Sequence, residues 1–310
     1  MRRFQNKAAE SRRTLPVAIL YGAGIWLLAG LIHQQWWIQG SCFLLSVAVM
    51  AELDNSNAFI RIYSRMVTVS FVMFSCMAIF LFPSMPGAIF ELCFITSLYT
   101  LLRCYQDKTA TGWIFYTFLL LGLGSLAYIQ ALWLAPAFWL LMAATIYCFS
   151  WRTLMASLLG LICPYWFAAS WMLYRHQGDF KPLLAHLEQM GHYTIPADYQ
   201  SVSMPLILTV GLITLLAFTG TIHFIRNSYR DKIRTRQLYY SMMLLFSYAL
   251  LLLAVQPQHY DTMLRVMIIA GSPLTGHFLA LTSTRITNIA FCVITGAILL
   301  LTAFNLWMSL

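Results

Sequence analysis

The sequence predicts an all-α fold, a polytopic transmembrane helix bundle of about eleven helices, and three observations carry that prediction. The 310 residues are 60% hydrophobic and only 9% charged, where soluble domains carry roughly 25% charged residues. The mean hydropathy is +0.73. The apolar runs last about 17–23 residues without period-two alternation, which suits helices crossing a ~30 Å hydrocarbon core and not barrel strands. Backbone groups in lipid must be paired within the protein, so helices are what remains.

Taken in order, five bases, Arg2, Arg3, Lys7, Arg12 and Arg13, precede the first apolar run. That run, 15–33, exceeds the roughly 7–15-residue core of a signal peptide, and no small-residue cleavage pattern follows. It reads as an uncleaved first helix behind a basic cytosolic tail, 1–14. Further helices are expected near 36–51, 66–83, 86–103, 112–130, 132–149, 153–174, 203–225, 238–255, 264–283 and 286–308. Pro83-Ser84-Met85-Pro86-Gly87 marks one turn, and Trp36, Trp37, Trp133, Trp171 and Tyr174 sit where interfacial anchors belong. Glu52, Asp54, Asn55 and Asn57, followed by Arg61 and Arg65, read as a capped helix start with local ion pairs.

The long connection 175–202 predicts a short amphipathic helix outside the membrane. Asp179 is placed as its N-cap, Pro182 in its first turn and Gly191 as its C-cap. Phe180, Leu183, Leu184, Leu187 and Met190 recur at spacings of three and four, a stripe suited to lying on the leaflet or against the bundle. All of 1–310 is expected to be one integral membrane domain.

Charge sets the expected orientation. Of the 19 Lys and Arg residues, 16 fall in the tail or in alternate connections, and only Arg175, Lys181 and Arg265 fall on the other side. Positive residues stay cytosolic, so the N-terminus is expected in the cytosol and, after an odd number of crossings, the C-terminus outside. The formal charge of +9 is therefore a topological signal and not a nucleic-acid footprint. The expected location is the cytoplasmic (inner) membrane, with membrane lipids as partners and no nucleic acid.

Several functions lack their motifs. There is no phosphate-binding glycine loop, no dinucleotide fingerprint, no zinc-protease helix and no nucleophile elbow. The seven cysteines show no C-x-x-C pair, so no metal and no cofactor is expected. No internal repeat of the kind found in transporters is visible.

Function then rests on polar residues in or beside the membrane. Glu91, about a turn inside its helix, is the candidate catalytic acid residue, as general base, proton carrier or cation ligand, because an acid within a span is costly and by default functional. Asp261 is a second candidate acid. Arg265, four residues on, shares its face and is the candidate anion ligand, with His259 beside it. His277, after Gly271-Ser272-Pro273 and Gly276, is expected in mid-helix at a kink, as ligand or as interhelix hydrogen bonder. His176, His186 and His192 lack a fixed ligand spacing. Glu91 and Arg265 are expected to meet below a cavity open to the outside.

Two stretches also carry a resemblance. Residues 47–174, with VAVMAELDNSNAFIRIYSRM and SWRTLMASLLGLICPYWFAASWMLY, and AGSPLTGHFLALTSTR at 270–285, resemble an uncharacterised multi-pass inner-membrane protein family of Bacteroidetes. More distantly, the chain is similar to GT-C-class polyprenyl-phosphate-sugar glycosyltransferases: a GLG helix, an Arg before a proline-containing late helix, and an outer surface helix. That likeness implies transfer from a lipid-phosphate sugar at the outer face, with a polyprenyl-phosphate lipid as partner. The chain departs from the class in its first outer loop, His33-Gln34-Gln35, which holds no acid. The alternative function is a non-catalytic membrane scaffold or accessory subunit, and a transporter ranks third.

Overall fold

The computed structural model describes residues 3–175, 180–191, 199 and 202–309. Among these there are thirteen α-helices and no strand. In chain order they are α1 (Phe4–Glu10), α2 (Thr14–Leu28), α3 (Trp37–Asn57), α4 (Met66–Met77), α5 (Met85–Arg103), α6 (Thr111–Ala127) and α7 (Ala135–Ala144). Then follow α8 (Trp151–Arg175), α9 (Lys181–Glu188), α10 (Met204–Asn227), α11 (Ile233–Val255), α12 (Tyr260–Leu281) and α13 (Arg285–Ser309). Seven of the helical segments, those of α3, α5, α8 and α10 to α13, are long and apolar enough to cross a membrane. This is a multi-pass helical membrane protein. The helices α2, α4, α6 and α7 are apolar but shorter.

The centre of the bundle is α12. Eighteen of its 22 residues are buried, including Arg265 and His277. A helix enclosed on every side buries its polar residues along with its apolar ones, so Arg265 and His277 must find partners within the protein. It packs on α4, α5, α10 and α11. Close approach is bought by small residues. A Cβ on Gly220 of α10 would overlap the Leu274 carbonyl, and one on Gly276 would lie 2.9 Å from the Val67 backbone nitrogen of α4. By contrast α8 and α13 lie at the periphery, with most of their surface uncovered.

The connections sort to two ends. At the end holding most of the bases, Gln106 N donates to Ile146 O (2.8 Å) and Ser150 Oγ to Lys108 O (3.1 Å). There too Arg234 donates to Asn57 Oδ1 (3.1 Å) and Gln5 Nε2 to Thr282 Oγ1 (2.6 Å). At the far end Gln39 Nε2 reaches Pro83 O (3.3 Å) and Tyr248 Oη donates to Trp133 O (2.7 Å). The far end also receives α9, through a contact of His186 Nε2 with Ser125 O (2.9 Å).

Several boundaries differ from the sequence reading. The stretch 66–83 is not one helix: α4 stops at Met77, and a 3-10 turn, Ile79–Leu81, follows. The acids and amides expected to cap a helix start instead form the last turns of α3, which ends at Ala58 in the left-handed conformation (φ 48°). Residues 4–10 of the basic tail form a helix, because Gln5 bridges them to α12 and α13. Trp133, read as an interfacial anchor, is 6% exposed and packs inside. Leu183 and His186 of α9, and Met190 in the 3-10 turn after it, are partly covered, while Leu184 is exposed, so the apolar stripe is split between the bundle and its surroundings. Asp179, the expected cap, and His176 and His192 lie outside the described residues, and Phe180 at the N-cap position makes no side-chain cap bond.

The glycine contacts set a stability test. Gly220→Ala and Gly276→Ala force backbone apart and are each expected to cost about 1–3 kcal/mol. Gly24→Ala, with nothing within 4 Å of the new Cβ, is expected to be neutral or stabilising. Thermal unfolding midpoints in one detergent, compared across the three variants, check both halves.

Candidate functional site

The site starts with how α5 begins. Ser84 is its N-cap, with Oγ accepting from Gly87 N (3.1 Å), and Pro86 occupies the first turn, where its missing N–H costs nothing. The same hydroxyl donates to Asp261 Oδ2 (2.5 Å) in the first turn of α12. Gly87 makes that contact feasible. A Cβ there would stand 2.6 Å from Asp261 Oδ2 and 2.8 Å from Arg265 Nε.

Arg265 is the hub. Its Nε donates to Asp261 Oδ1 (2.8 Å), its Nη1 to Glu91 Oε2 (2.5 Å) and its Nη2 to Leu81 O (2.6 Å). Glu91 lies about 9 Å along α5 and Arg265 about 8 Å along α12 at 1.5 Å per residue, so they meet at similar depth. Glu91 is 7% exposed and Arg265 5%. The Tyr128 hydroxyl adjoins Ser84 and Asp261. Two carboxyl groups face one guanidinium, and each of its three nitrogens already holds a protein acceptor. Such a cluster has no spare positive charge with which to draw a phosphate.

The third of those acceptors explains the cluster's position. Where α4 stops, its last carbonyls lose their helical partners, and unpaired carbonyls inside a bilayer cost several kcal/mol each. Side chains from three other helices supply donors. Asn305 Nδ2 of α13 bonds Met77 O (2.7 Å), Arg265 of α12 bonds Leu81 O, and Gln39 of α3 bonds Pro83 O. Asn305 Nδ2 also meets Thr209 Oγ1 (3.0 Å) of α10.

Space beside the cluster is small. A cavity of about 20 Å³ is lined by Trp26, Gln39, Ser75, Glu91 and Arg265 among others. That is room for about one water. Glu91 Oε1 and Ser75 Oγ are buried and have no protein partner. The cavity expected from the sequence to open to the outside at this position amounts, among the described residues, to this small space.

The other sequence candidates separate. His259 stands near the same end, with its ring against Trp133 (5.1 Å between centroids) and its Nε2 3.2 Å from Gln258 Nε2. His277 is not in mid-helix beside these groups. It lies one turn from the opposite end of α12, where Nε2 is 3.4 Å from Asp231 Oδ2. Twelve residues of helix, about 18 Å, separate it from Arg265. Pro273 lies inside α12, which runs as one helix through it. Asp231 also faces Arg61 Nη1 at 3.9 Å, and the His277 ring packs on His223 (5.3 Å) and Tyr239 (5.0 Å). Asp231 was missed in the sequence, although it is the lone acid in the strongly basic segment 226–236. Asn305 and Gln39 carry no local signal, because their partners are backbone atoms of a break that no glycine or proline at position 78 announces. Among the described residues, no three His, Cys, Asp or Glu side chains converge as a metal site.

Comparison of the chain with protein-family models, with curated proteins and with solved structures returns no match.

Removal of the hub should be costly. Arg265→Met leaves Glu91 and Asp261 without their cation and Leu81 O with only the longer Ser84 N–H bond (3.3 Å), and is expected to lose about 3–5 kcal/mol. Glu91→Gln keeps an acceptor for Arg265 and should lose less, and Asn305→Leu should lose about 1–3 kcal/mol. Unfolding midpoints rank the three. If Arg265→Met unfolds at the wild-type temperature, the cluster does not support the break.

Proposed function

We propose that the chain is an eleven-crossing protein of the cytoplasmic membrane, with its basic end in the cytosol and its C-terminus outside, and that it serves as a non-catalytic scaffold or accessory subunit. The topology is supported by the sorting of connections. Apart from α1 and α9, eleven helices lead alternately from one end to the other, and the basic end is where positive residues are retained. Impermeant thiol labelling in intact cells checks it: a cysteine at Gln189 should react and one at Asn227 should not.

The scaffold reading is carried by one observation: every nitrogen of Arg265 is engaged by protein. A lipid-phosphate sugar transferase of the GT-C kind would need Arg265 to present donors to phosphate and Glu91 to reach an acceptor hydroxyl. The feature that favours this second reading is Glu91 Oε1, which has no protein partner and lines the small cavity. A transporter would use the interruption after α4 as an ion site. Here Asn305, Arg265 and Gln39 occupy three carbonyls of that segment.

Titration with a polyprenyl phosphate in detergent separates the readings. The scaffold reading expects no saturable rise in unfolding temperature. A saturable rise that Arg265→Lys abolishes would replace it with the transferase reading, since only that reading puts phosphate on the guanidinium.

A further inference from the structure

The basic end of the bundle carries a groove that takes no part in the cluster around Arg265. Its volume is about 330 Å³, and its walls come from α1, α2, α4, α12 and α13, including Phe4, Ala8, Thr14, Val17, Thr275 and Phe291. It faces the hydrocarbon: Val17 is 62% exposed and Leu299 is also exposed. The short helix α1 closes its basic end. Gln5 N donates to Asn288 Oδ1 (3.0 Å) and Gln5 Nε2 to Leu279 O (2.7 Å), which ties α1 to α12 and α13. The Phe4 ring meets Phe291 at 6.0 Å, and Thr14 Oγ1 donates to Ala8 O (2.6 Å) across the turn into α2.

Charge complements this shape. Each groove-lining residue of the N-terminal segment has a base beside it in the chain: Arg3 by Phe4, Lys7 by Ala8, and Arg13 by Thr14. Residues 3–14 hold four bases (Arg3, Lys7, Arg12, Arg13) less one acid (Glu10), a formal +3. Arg3 Nη1 is buried and has no hydrogen-bond partner. A basic tail that acted only as an orientation signal would need neither a docked helix nor an apolar groove above it.

We propose that this groove seats an acyl chain of an anionic phospholipid from the leaflet at the basic end, with Arg3, Lys7 and Arg13 gathering its phosphate headgroup. The chain supplies the apolar contact and the headgroup the charge that the three bases lack. Attraction of this kind is worth roughly fivefold in binding per base near the surface.

Native mass spectrometry of the purified full chain tests the proposal, with phosphatidylglycerol and phosphatidylcholine offered at equal concentration. The wild type is expected to retain phosphatidylglycerol in preference. Arg13→Gln should cut that preference roughly fivefold, and Arg3→Gln/Lys7→Gln/Arg13→Gln should abolish it while leaving phosphatidylcholine binding unchanged. Val17→Trp fills the groove from its exposed side without entering the core, and should reduce binding of both lipids. Equal retention of the two lipids by the wild type would overturn the proposal. So would phosphatidylglycerol retention by Val17→Trp at the wild-type level, since the bases would then act without the groove. Unfolding midpoints without added lipid confirm that each variant is folded before its lipid binding is read.

Discussion

Unpaired backbone inside a membrane is the constraint on which the structure turns. The helix beginning at Met66 ends after twelve residues, about 18 Å, well short of a ~30 Å core. The chain then runs through a 3-10 turn to Pro83, and the carbonyls it exposes must find donors. Arg265, Asn305 and Gln39 provide them from α12, α13 and α3. Each requirement generates the next. A buried guanidinium needs counter-charge, which Glu91 and Asp261 supply. Asp261 needs a second donor, which is the Ser84 hydroxyl that also caps α5. The capped turn must come close, which excludes any side chain at position 87.

An ion cluster of this sort is poor evidence of net stability, because desolvation offsets most of the Coulombic gain. Its effect is on register. Arg265 satisfies all three acceptors only when α12 stands at one height against α5 and the α4 break. At the other end of the same helix, His277 meets Asp231 of the connection into α11. The central helix is thus held by polar contacts toward both ends, and its basic half is also fastened by close backbone approach at Gly276 and of Gly220 of α10 to Leu274.

How much of the site was legible varies with the range of the interaction. The Asp261–Arg265 pair is four residues apart and readable from helical spacing alone. Glu91 and Arg265 could be expected to meet because both enter from the same end at similar depth and neither can stay unpaired there. The Leu81 carbonyl could not be foreseen. Carbonyls look alike in sequence, and the segment Met77-Ala78-Ile79-Phe80 has the same apolar character as the helices around it. The same limit hid Asn305 and Gln39. It also misplaced His277, since the polar first turn of α12, residues 260–263, gave no apolar signal for where the helix begins.

Composition and run length by themselves determined that the chain is helical and lives in a membrane, because transfer free energy sums over residues and needs no knowledge of neighbours. The distribution of bases likewise divided the connections into two sets. Tertiary structure alone decided which helix is enclosed, where a helix is interrupted, and which side chains repair the interruption. Those outcomes depend on interhelical distance and depth, quantities that arise only when several helices, each apolar and locally alike, are packed against one another.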